Sequence, residues 1–318
     1  MYQEILISIC VPAYKRTDFL RRLLDSISVQ SFRNFEVIIT DDSPDNALKE
    51  LCDRYKNVFS LCYYHNPAPF GTPENWNEAI RKATGQWIKL MHDDDWFAFP
   101  DSLQKLYDLT RVPENCSFVF CGSTVVEDNK VLFTENISRF REKLLRKDSR
   151  NLFSRNCIGP PSVIMHKNDR RLWYDNRMKW LVDVDFYIRY LQGHAFNFTR
   201  EFLINVGFNE EQVTRQVFHD PEVVIPENLL LMDKLDPSVL LRLWNYDFCW
   251  RMIRNYKIRD EAALYRLSPR KVDPQIPLPL LHILRAQKNI PPSLLNIGLF
   301  SKVFMLFNYF TYFIKKWI

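Results

Sequence analysis

The first ninety residues alternate between short apolar segments and amphipathic segments, and this alternation constrains the fold more than any other feature. Apolar runs predict four strands, at residues 5–11, 35–40, 59–64 and 87–91. Between the first two, the apolar residues after Thr17 have the spacing of one helical face. Strands that alternate with helices form a sheet with right-handed crossovers. We therefore expect an α/β fold with a Rossmann-like, mostly parallel central sheet and flanking helices.

Two further helices are indicated by a hydroxyl residue that precedes a proline, a combination typical of helix N-termini. Ser43 and Pro44 predict a helix that extends to about Tyr55. Thr72 and Pro73 predict a second helix, and Gly85 is in the position of a residue that ends it.

Polar residues follow three of the four predicted strands. These strand ends are residues 12–14 (Pro-Ala-Tyr), 41–43 (Asp-Asp-Ser) and 93–95 (Asp-Asp-Asp). In a parallel sheet the carboxyl ends of the strands lie at one edge, where such proteins bind their ligands. The sequence therefore predicts one pocket that contains all three segments.

The aspartate run predicts a metal site. On an extended segment alternate residues point the same way, so Asp93 and Asp95 are expected to share a face. Two carboxylates without a set of His and Cys ligands suit Mg²⁺ or Mn²⁺. The simpler alternative is an acidic turn that caps a helix near Pro100.

After residue 115 the pattern changes. Further strands are predicted at residues 117–124, 130–134, 161–165 and 196–208, with a solvated basic segment at 139–150 and a helix at 181–191. From about residue 216 the pattern is helical. We expect one domain over residues 1–215, with a nucleotide-binding half (1–115) and an acceptor half (116–215), followed by a helical region at 216–318.

The net charge of +5 comes from the C-terminal segment. After Asp273 the chain has five basic residues and no acidic one, and the remainder is balanced at 38 of each. A nucleic-acid-binding protein is expected to have a basic face on its main domain, so this class is excluded. Seven cysteines without a C-x-x-C pair favour free thiols in a reducing compartment, the cytoplasm.

Residues 303–314 contain no charged residue, but twelve residues of helix reach only ~18 Å, short of the ~30 Å apolar core of a membrane. Lys302, Lys315 and Lys316 flank this run. Aromatic and basic residues without acids suit a helix, residues 296–318, that lies on the inner face of the plasma membrane. Packing on the protein's own core, or in a homodimer, is the alternative.

Five segments in order resemble the motifs of family 2 glycosyltransferases with the GT-A fold, of the bacterial polysaccharide and cell-envelope type. They are residues 9–16 (ICVPAYKR), 37–43 (VIITDDS), 75–88 (NWNEAIRKATGQWI), 90–96 (LMHDDDW) and 161–166 (PSVIMH). The resemblance covers residues 5–215.

The resemblance implies a role for each matching residue. The nucleotide-binding positions are Pro12, Tyr14, Arg16, Asp41, Asp42, Gly71, Asn75, Asp93 and Asp94. Asp95, with Asp93, matches the position that binds Mn²⁺ or Mg²⁺. Asp183 matches the catalytic base, with Asp185 as its nearby competitor, although the family usually has Glu-Asp where this chain has Val182-Asp183.

A further departure concerns processivity. Processive members contain Q-x-x-R-W, whereas residues 212–216 are Gln-Val-Thr-Arg-Gln. The resemblance therefore implies metal-dependent, inverting transfer of a single sugar from a nucleotide diphosphate, a UDP-sugar being favoured. The acceptor is expected to be a saccharide or lipid-linked saccharide. Two alternatives stay open: a nucleotidyltransferase that makes the sugar nucleotide, and a non-catalytic module that binds Mg²⁺ in an acidic pocket.

Overall fold

A computed structural model of the protein describes residues 4–209, 220–268 and 276–317. The chain divides into two compact units. One comprises Met1–Ser149 and Asn156–Gln212, and the other comprises Arg150–Arg155 and Val213–Ile318. The expected domain boundary after residue 215 and the segment from Gln212 to Gln216 lie outside the described residues.

The first unit contains a nine-stranded sheet and six described α-helices. The strands are β1 Ile7–Ala13, β2 Phe35–Asp41, β3 Leu61–His65, β4 Trp87–Leu90, β5 Trp96–Phe97, β6 Cys116–Glu127, β7 Lys130–Glu135, β8 Ile164–Lys167 and β9 Ala195–Gly207. The helices are α1 Thr17–Ser28, α2 Ala47–Asp53, α3 Glu74–Lys82, α4 Ser102–Leu109, α5 Arg139–Lys147 and α6 Val182–Leu191.

The sheet is parallel in its first half and mixed in its second. Its strand order is β3-β2-β1-β4-β8-β6-β9-β5, with β7 paired to β6. The first four strands are parallel, and so are β6 and β9, whereas the other four pairings are antiparallel. The expected α/β class is confirmed. Strands β1 and β2 are buried almost throughout, because a parallel sheet is covered on both faces.

The register places the three polar strand ends at one edge. Ala13, the last residue of β1, is paired with Asp41, the last of β2. On the other side of β1, Cys10 is paired with Leu90, the last residue of β4. The residues that follow these strands therefore begin side by side.

Helix α2 begins at Ala47, three residues later than Pro44 predicts. The Ser43 hydroxyl is occupied elsewhere, because it accepts a hydrogen bond from the Lys15 backbone N–H at 2.7 Å. Asp45 instead accepts the Ala47 N–H at 3.0 Å. The Ser43 side chain, which the sequence predicts as a helix cap, is thus hydrogen-bonded to the loop after β1 instead.

Gly85 does not end helix α3 as expected, since the helix already ends at Lys82. Its lack of a side chain allows the backbone at this position to pass close to β1. A Cβ at Gly85 would lie closer than 3.0 Å to the backbone N and the Oγ of Ser8. The Gly85 N–H donates to that Oγ at 2.8 Å, so only glycine fits this contact.

The strand predicted at 161–165 begins later than expected. Residues Pro161–Val163 form one turn of 3₁₀ helix, and β8 follows at Ile164–Lys167. A proline has no N–H for a sheet, which accounts for the delayed start. This turn presents Ser162 to the neighbouring strand end.

The elements described in the second unit are helices. After a 3₁₀ helix at Ser149–Ser154, they are α7 Pro221–Asp233, α8 Pro237–Leu240, α9 Leu243–Asn255, α10 Glu261–Arg266, α11 Leu278–Lys288, α12 Pro292–Asn296 and α13 Gly298–Trp317. Helices α9, α11 and α13 share a core around the buried rings of Tyr246 and Trp250. No helix in the described part of the chain is both long and apolar enough to cross a membrane.

Candidate active site

The three aspartates after β4 form a buried turn. The Asp95 N–H donates to the carbonyl of His92 at 3.1 Å, which closes the turn. Asp93, Asp94 and Asp95 are 2%, 5% and 2% exposed. The segment is not extended, so the expectation that Asp93 and Asp95 share a face by alternation is wrong.

Arg16 binds this turn from the loop after β1. Its guanidinium pairs with both carboxylate oxygens of Asp93, one of them through Nε at 3.3 Å. It also lies 3.4 Å from the Asp94 carboxylate. The Tyr14 backbone N–H points at Asp93 at 3.5 Å. Arg16 therefore holds the acidic turn beside the end of β1.

The end of β9 contacts the other side of the turn. The Gly207 N–H donates to Asp95 at 3.1 Å, and the Asn209 amide donates to the Asp94 carboxylate at 2.8 Å. Arg22, from α1, donates to the Asp94 carbonyl at 2.8 Å. The turn is thus fixed from three elements that are distant in sequence.

Burial dominates the electrostatics of the turn. It raises the pKa of Asp93 to about 7, and it raises that of Asp95 well above its ordinary value, with help from the charge of Asp94. Burial lowers the pKa of His92 to about 4, so its imidazole is neutral at pH 7. The result is a desolvated acidic cluster in which added positive charge is favourable.

His92, Asp94 and Asp95 fit a divalent cation. One ligand atom from each lies within 4.8 Å of the others. Carboxylate oxygens suit Mg²⁺ and Mn²⁺, and a neutral imidazole is compatible with the latter. Asp93, the expected second metal ligand, instead has both oxygens on Arg16. The grouping of Asp93 with Asp95 depended on an extended backbone that the segment does not have.

Asp41 and Asp42 are both buried at the end of β2, and both accept internal hydrogen bonds. Asp41 accepts from the Tyr63 hydroxyl at 2.6 Å and from the Ser43 N–H at 2.7 Å. Asp42 accepts from the Asn66 amide at 2.7 Å and from the Gly71 N–H at 2.8 Å. A base that binds either carboxylate has to share or displace one of these donors.

Gly71 and Asn75 shape the loop that faces Asp42. Gly71 has φ +68°, a conformation that favours glycine, and a Cβ there would meet only open space. Asn75 is buried and donates to the Thr40 carbonyl at 3.1 Å, while its own oxygen accepts from Asn66. Asn75 therefore fixes α3 to β2, and Gly71 is the accessible residue of the pair.

Tyr14 is the exposed aromatic residue of the β1 loop. Its ring is 47% exposed, and the Lys15 ammonium lies 4.8 Å from the ring centre. Pro12 precedes it as a half-buried member of β1. An exposed ring beside the acidic turn is suited to stacking on a planar base.

Asp183 lies in the first turn of α6 and is half-buried. One of its carboxylate oxygens accepts from the Asn156 amide at 2.8 Å. The Asn156 side chain also binds the backbone of Ile158 and Gly159, which orders the loop before Pro160.

This loop continues to Ser162 and connects Asp183 to the acidic turn. The Ser162 hydroxyl accepts from the His92 N–H at 3.0 Å and is hydrogen-bonded to Asp95. The segment 156–162 thus contacts the predicted base at one end and the predicted metal ligand at the other.

Asp185 is fully buried and is paired with Arg189. Two guanidinium nitrogens of Arg189 donate to one Asp185 oxygen, at 2.8 and 2.6 Å. Arg189 in turn donates to the carbonyl of Trp173. Asp185 is therefore held in an ion pair within α6, whereas Asp183 is a half-buried carboxylate in the first turn of the same helix.

Several site residues were missed by the sequence analysis. His92 immediately precedes the aspartate run, so a signal for it was present. Lys89 is fully buried on β4, donates to the carbonyl of Ser162, and has its pKa lowered to about 8 by burial. No local sequence pattern indicates the contacts of Asn156 or Ser162, because their hydrogen-bond partners, Asp183 and His92, are distant in sequence.

The family model for glycosyl transferase family 2 matches residues 8–173. Among curated proteins, an uncharacterized glycosyltransferase of Rickettsia typhi is 22% identical over 224 residues, 68% of each chain. One of Haemophilus influenzae is 27% identical, covering 60% of this chain and 64% of its own length. The abequosyltransferase of Salmonella typhimurium is 28% identical over 42% of this chain and 46% of its own.

Solved structures share the fold at low identity. Residues 1–349 of Staphylococcus aureus TarS, in complex with UDP-GlcNAc, match with a TM-score of 0.59 at 15% identity, over 89% of this chain and 88% of that one. A mannosyltransferase of Pyrobaculum calidifontis, in complex with GDP-Man and Mn²⁺, matches with a TM-score of 0.56 at 13% identity, over 97% and 85%. These likenesses confirm the expected GT-A fold.

Proposed function

The chain belongs to glycosyl transferase family 2, and from that premise we propose that it transfers one sugar from a nucleotide diphosphate to an acceptor hydroxyl, with inversion and with the help of Mn²⁺ or Mg²⁺. The family match favours neither of the two alternatives, the nucleotidyltransferase and the non-catalytic binding module.

One observation carries the proposal: segment 156–162 touches both the predicted base and the acidic turn. Asn156 binds Asp183, and Ser162 binds Asp95. In a transferase the acceptor's proton must leave on one side of the reacting carbon while the diphosphate leaves on the other. A single ordered segment that contacts both carboxylates supports this arrangement.

A divalent cation held by His92, Asp94 and Asp95 would neutralise the charge that develops on the leaving diphosphate. The chain's own residues keep that site in shape. Arg16 balances the charge of Asp93 and fixes the turn, and the Gly207 N–H orients the Asp95 carboxylate. These contacts exist before the donor binds, so little reorganisation is needed when it arrives.

We assign the base to Asp183. Its carboxylate is the group that accepts the acceptor's proton. As a weak base it depends on position, which Asn156 supplies by holding one carboxylate oxygen. Attack from the face opposite the diphosphate inverts the anomeric carbon.

For the donor we favour a UDP-sugar, in line with the UDP-GlcNAc complex of TarS; the GDP-Man complex of the archaeal mannosyltransferase makes a guanine nucleotide the first competitor. The exposed ring of Tyr14 and the open space at Gly71 offer contacts to the base and the sugar. The acceptor we propose is a saccharide or lipid-linked saccharide, met on the cytoplasmic side.

Substitution of Asp183 by Asn tests the assignment. The change keeps the shape and removes the basic oxygen, so we expect sugar transfer to fall by a factor of about 10² or more. Binding of UDP with Mn²⁺, measured by calorimetry, should stay within about twofold. The matched control is Asp18→Asn, an exposed acid on α1 of the same unit.

Each possible outcome of these measurements bears on a different part of the proposal. Near-normal turnover in Asp183→Asn would refute the base assignment. Release of pyrophosphate from UTP and a sugar 1-phosphate, with no release of free UDP from any sugar nucleotide in a screen, would refute the proposed transfer and favour the nucleotidyltransferase. Equal loss in the control variant would show that the effect comes from charge in general.

A further inference from the structure

Helix α13 exposes one wholly apolar face. Five large side chains on it are 50–76% exposed: Leu299, Phe300, Val303, Phe307 and Phe310. At ~100° per residue these five positions fall within an arc of about 100°. Isolated apolar residues are common on protein surfaces, but a contiguous patch of this kind indicates a contact surface.

The opposite face of α13 is packed against the rest of its unit. Ser301, Met305 and Asn308 are buried there. The Ser301 hydroxyl accepts from the Trp250 indole at 3.0 Å, and Asn308 accepts from the Tyr246 hydroxyl at 2.6 Å. These buried hydrogen bonds hold the helix in place, so the apolar face points outward in the folded unit.

The charge of the C-terminal segment indicates what binds to this apolar face. The 45 residues after Asp273 contain five basic residues and no acidic one, and they account for the whole net charge of the chain. Arg285 and Lys302 are paired with Glu261 and Asp247 from earlier helices, at 2.7 and 2.8 Å. A second copy of the chain would bring two basic segments together, whereas an anionic surface is attracted to them.

We propose that the outward face of α13, from Leu299 to Phe310, binds the surface of an anionic lipid bilayer. The helix lies in the plane of the headgroups and does not span the bilayer, and its phenylalanines enter the boundary with the acyl chains. The excess of basic residues in this part of the chain adds electrostatic attraction to the anionic headgroups. This inference is independent of the transferase chemistry, because it needs neither a donor nor an acceptor.

Vesicle flotation of the full chain tests the proposal. We expect binding to vesicles of phosphatidylcholine with phosphatidylglycerol, at least tenfold weaker binding to phosphatidylcholine alone, and weakening by salt. The double substitution Leu299→Ser/Phe307→Ser should reduce binding at least tenfold. The matched control is Val131→Ser/Phe133→Ser on β7, where the side chains are 64% and 47% exposed in the other unit.

The readouts do not depend on activity. Far-ultraviolet circular dichroism and melting temperature establish that both double variants are folded. Absence of binding by the unaltered chain overturns the proposal, and so does equal loss in the β7 control. Sedimentation equilibrium without lipid tests whether a second copy of the chain binds this face instead. If the unaltered chain forms a dimer that the α13 variant dissociates, and the unaltered chain does not bind vesicles, the face is a self-association surface and the proposal is overturned.

Discussion

Replacement of Gly207 by Ala is the most direct test of how the acidic turn is held. Gly207 ends β9, and its N–H donates to Asp95 at 3.1 Å. A Cβ at this position would lie closer than 3.0 Å to the Asp94 carbonyl oxygen, and 3.2 Å from the Arg22 guanidinium. The oxygen belongs to the backbone, so it cannot rotate away as a side chain would.

The size of the effect follows from this geometry. A carbon–oxygen contact is relaxed at about 3.3–3.6 Å, so the turn has to retreat by roughly an ångström. Overpacking of this kind costs about 1–3 kcal/mol, partly offset by ~0.4–1 kcal/mol that alanine gains over glycine in the unfolded chain. A displacement of ~1 Å at a catalytic group lowers the rate about 10²-fold.

The assay combines thermal unfolding with kcat/KM for sugar transfer. Gly193→Ala is the matched control, since nothing lies within 4 Å of a Cβ there. The control shares the gain of alanine in the unfolded chain, so we expect Gly207→Ala to melt roughly 2–12 °C below it, on a scale of about 2–4 °C per kcal/mol for a unit of this size. Its kcat/KM should fall about 10²-fold while the control is unchanged. Equal melting temperatures and equal rates would show that β9 does not fix the turn.

Three further predictions concern the charged groups of the site. Arg16→Gln removes the partner of buried Asp93 and should cost roughly 1.5–3 kcal/mol in chemical denaturation; an unchanged midpoint contradicts the pairing. Asp185→Asn leaves Arg189 without its partner and should cost about 3 kcal/mol, with a fall in melting temperature that Asp183→Asn does not share. Burial raises the pKa of Asp93 to about 7 and that of Asp95 well above its ordinary value, so these two groups hold protons in the folded chain that the unfolded chain releases near pH 4. Burial lowers the pKa of His92 and of His166 to about 4, so the two histidines have the opposite effect below their ordinary pKa of about 6.5. Without a divalent cation the stability of the folded chain should therefore fall as pH rises from about 6.5 through 7, where only the two aspartates still contribute, and Mn²⁺ should raise the melting temperature more at pH 8 than at pH 5. Scanning fluorimetry with EDTA as control measures this, and an equal gain at both pH values contradicts it.

The sequence was sufficient to predict the parallel half of the sheet. Residues 7–13 and 35–41 are predominantly apolar and polar residues follow each of them, and a strand covered on both faces leaves that pattern. The location of the acidic run at the edge of the sheet followed from the same rule, because Leu90 is paired with Cys10 and β4 must end there.

The partners of the site residues could not be predicted in the same way. Asp93 is bound by Arg16, 77 positions earlier, and Asp183 by Asn156, 27 positions earlier. No local periodicity indicates which distant side chain will reach a carboxylate. Alternation predicted a shared face for Asp93 and Asp95, and it failed because a turn at His92 replaces the extended backbone on which that rule depends.

The predictions of two helix boundaries were wrong for a related reason. Ser43 is a residue type that caps helix N-termini, but its hydroxyl accepts a hydrogen bond from the Lys15 backbone N–H instead. Gly85 has the chemistry of a helix terminator, but its lack of a side chain serves the contact with Ser8. In both cases a tertiary contact outweighs a local preference of about 1 kcal/mol.

The segment from Asn156 to Ser162 limits how this enzyme could be recombined with its relatives. Exchange of residues 116–209 as a block would move Asp183 together with the loop that holds its carboxylate, but would separate Ser162 from the turn at His92 and Asp95. A functional chimera therefore has to preserve a serine at this junction or import both sides of it.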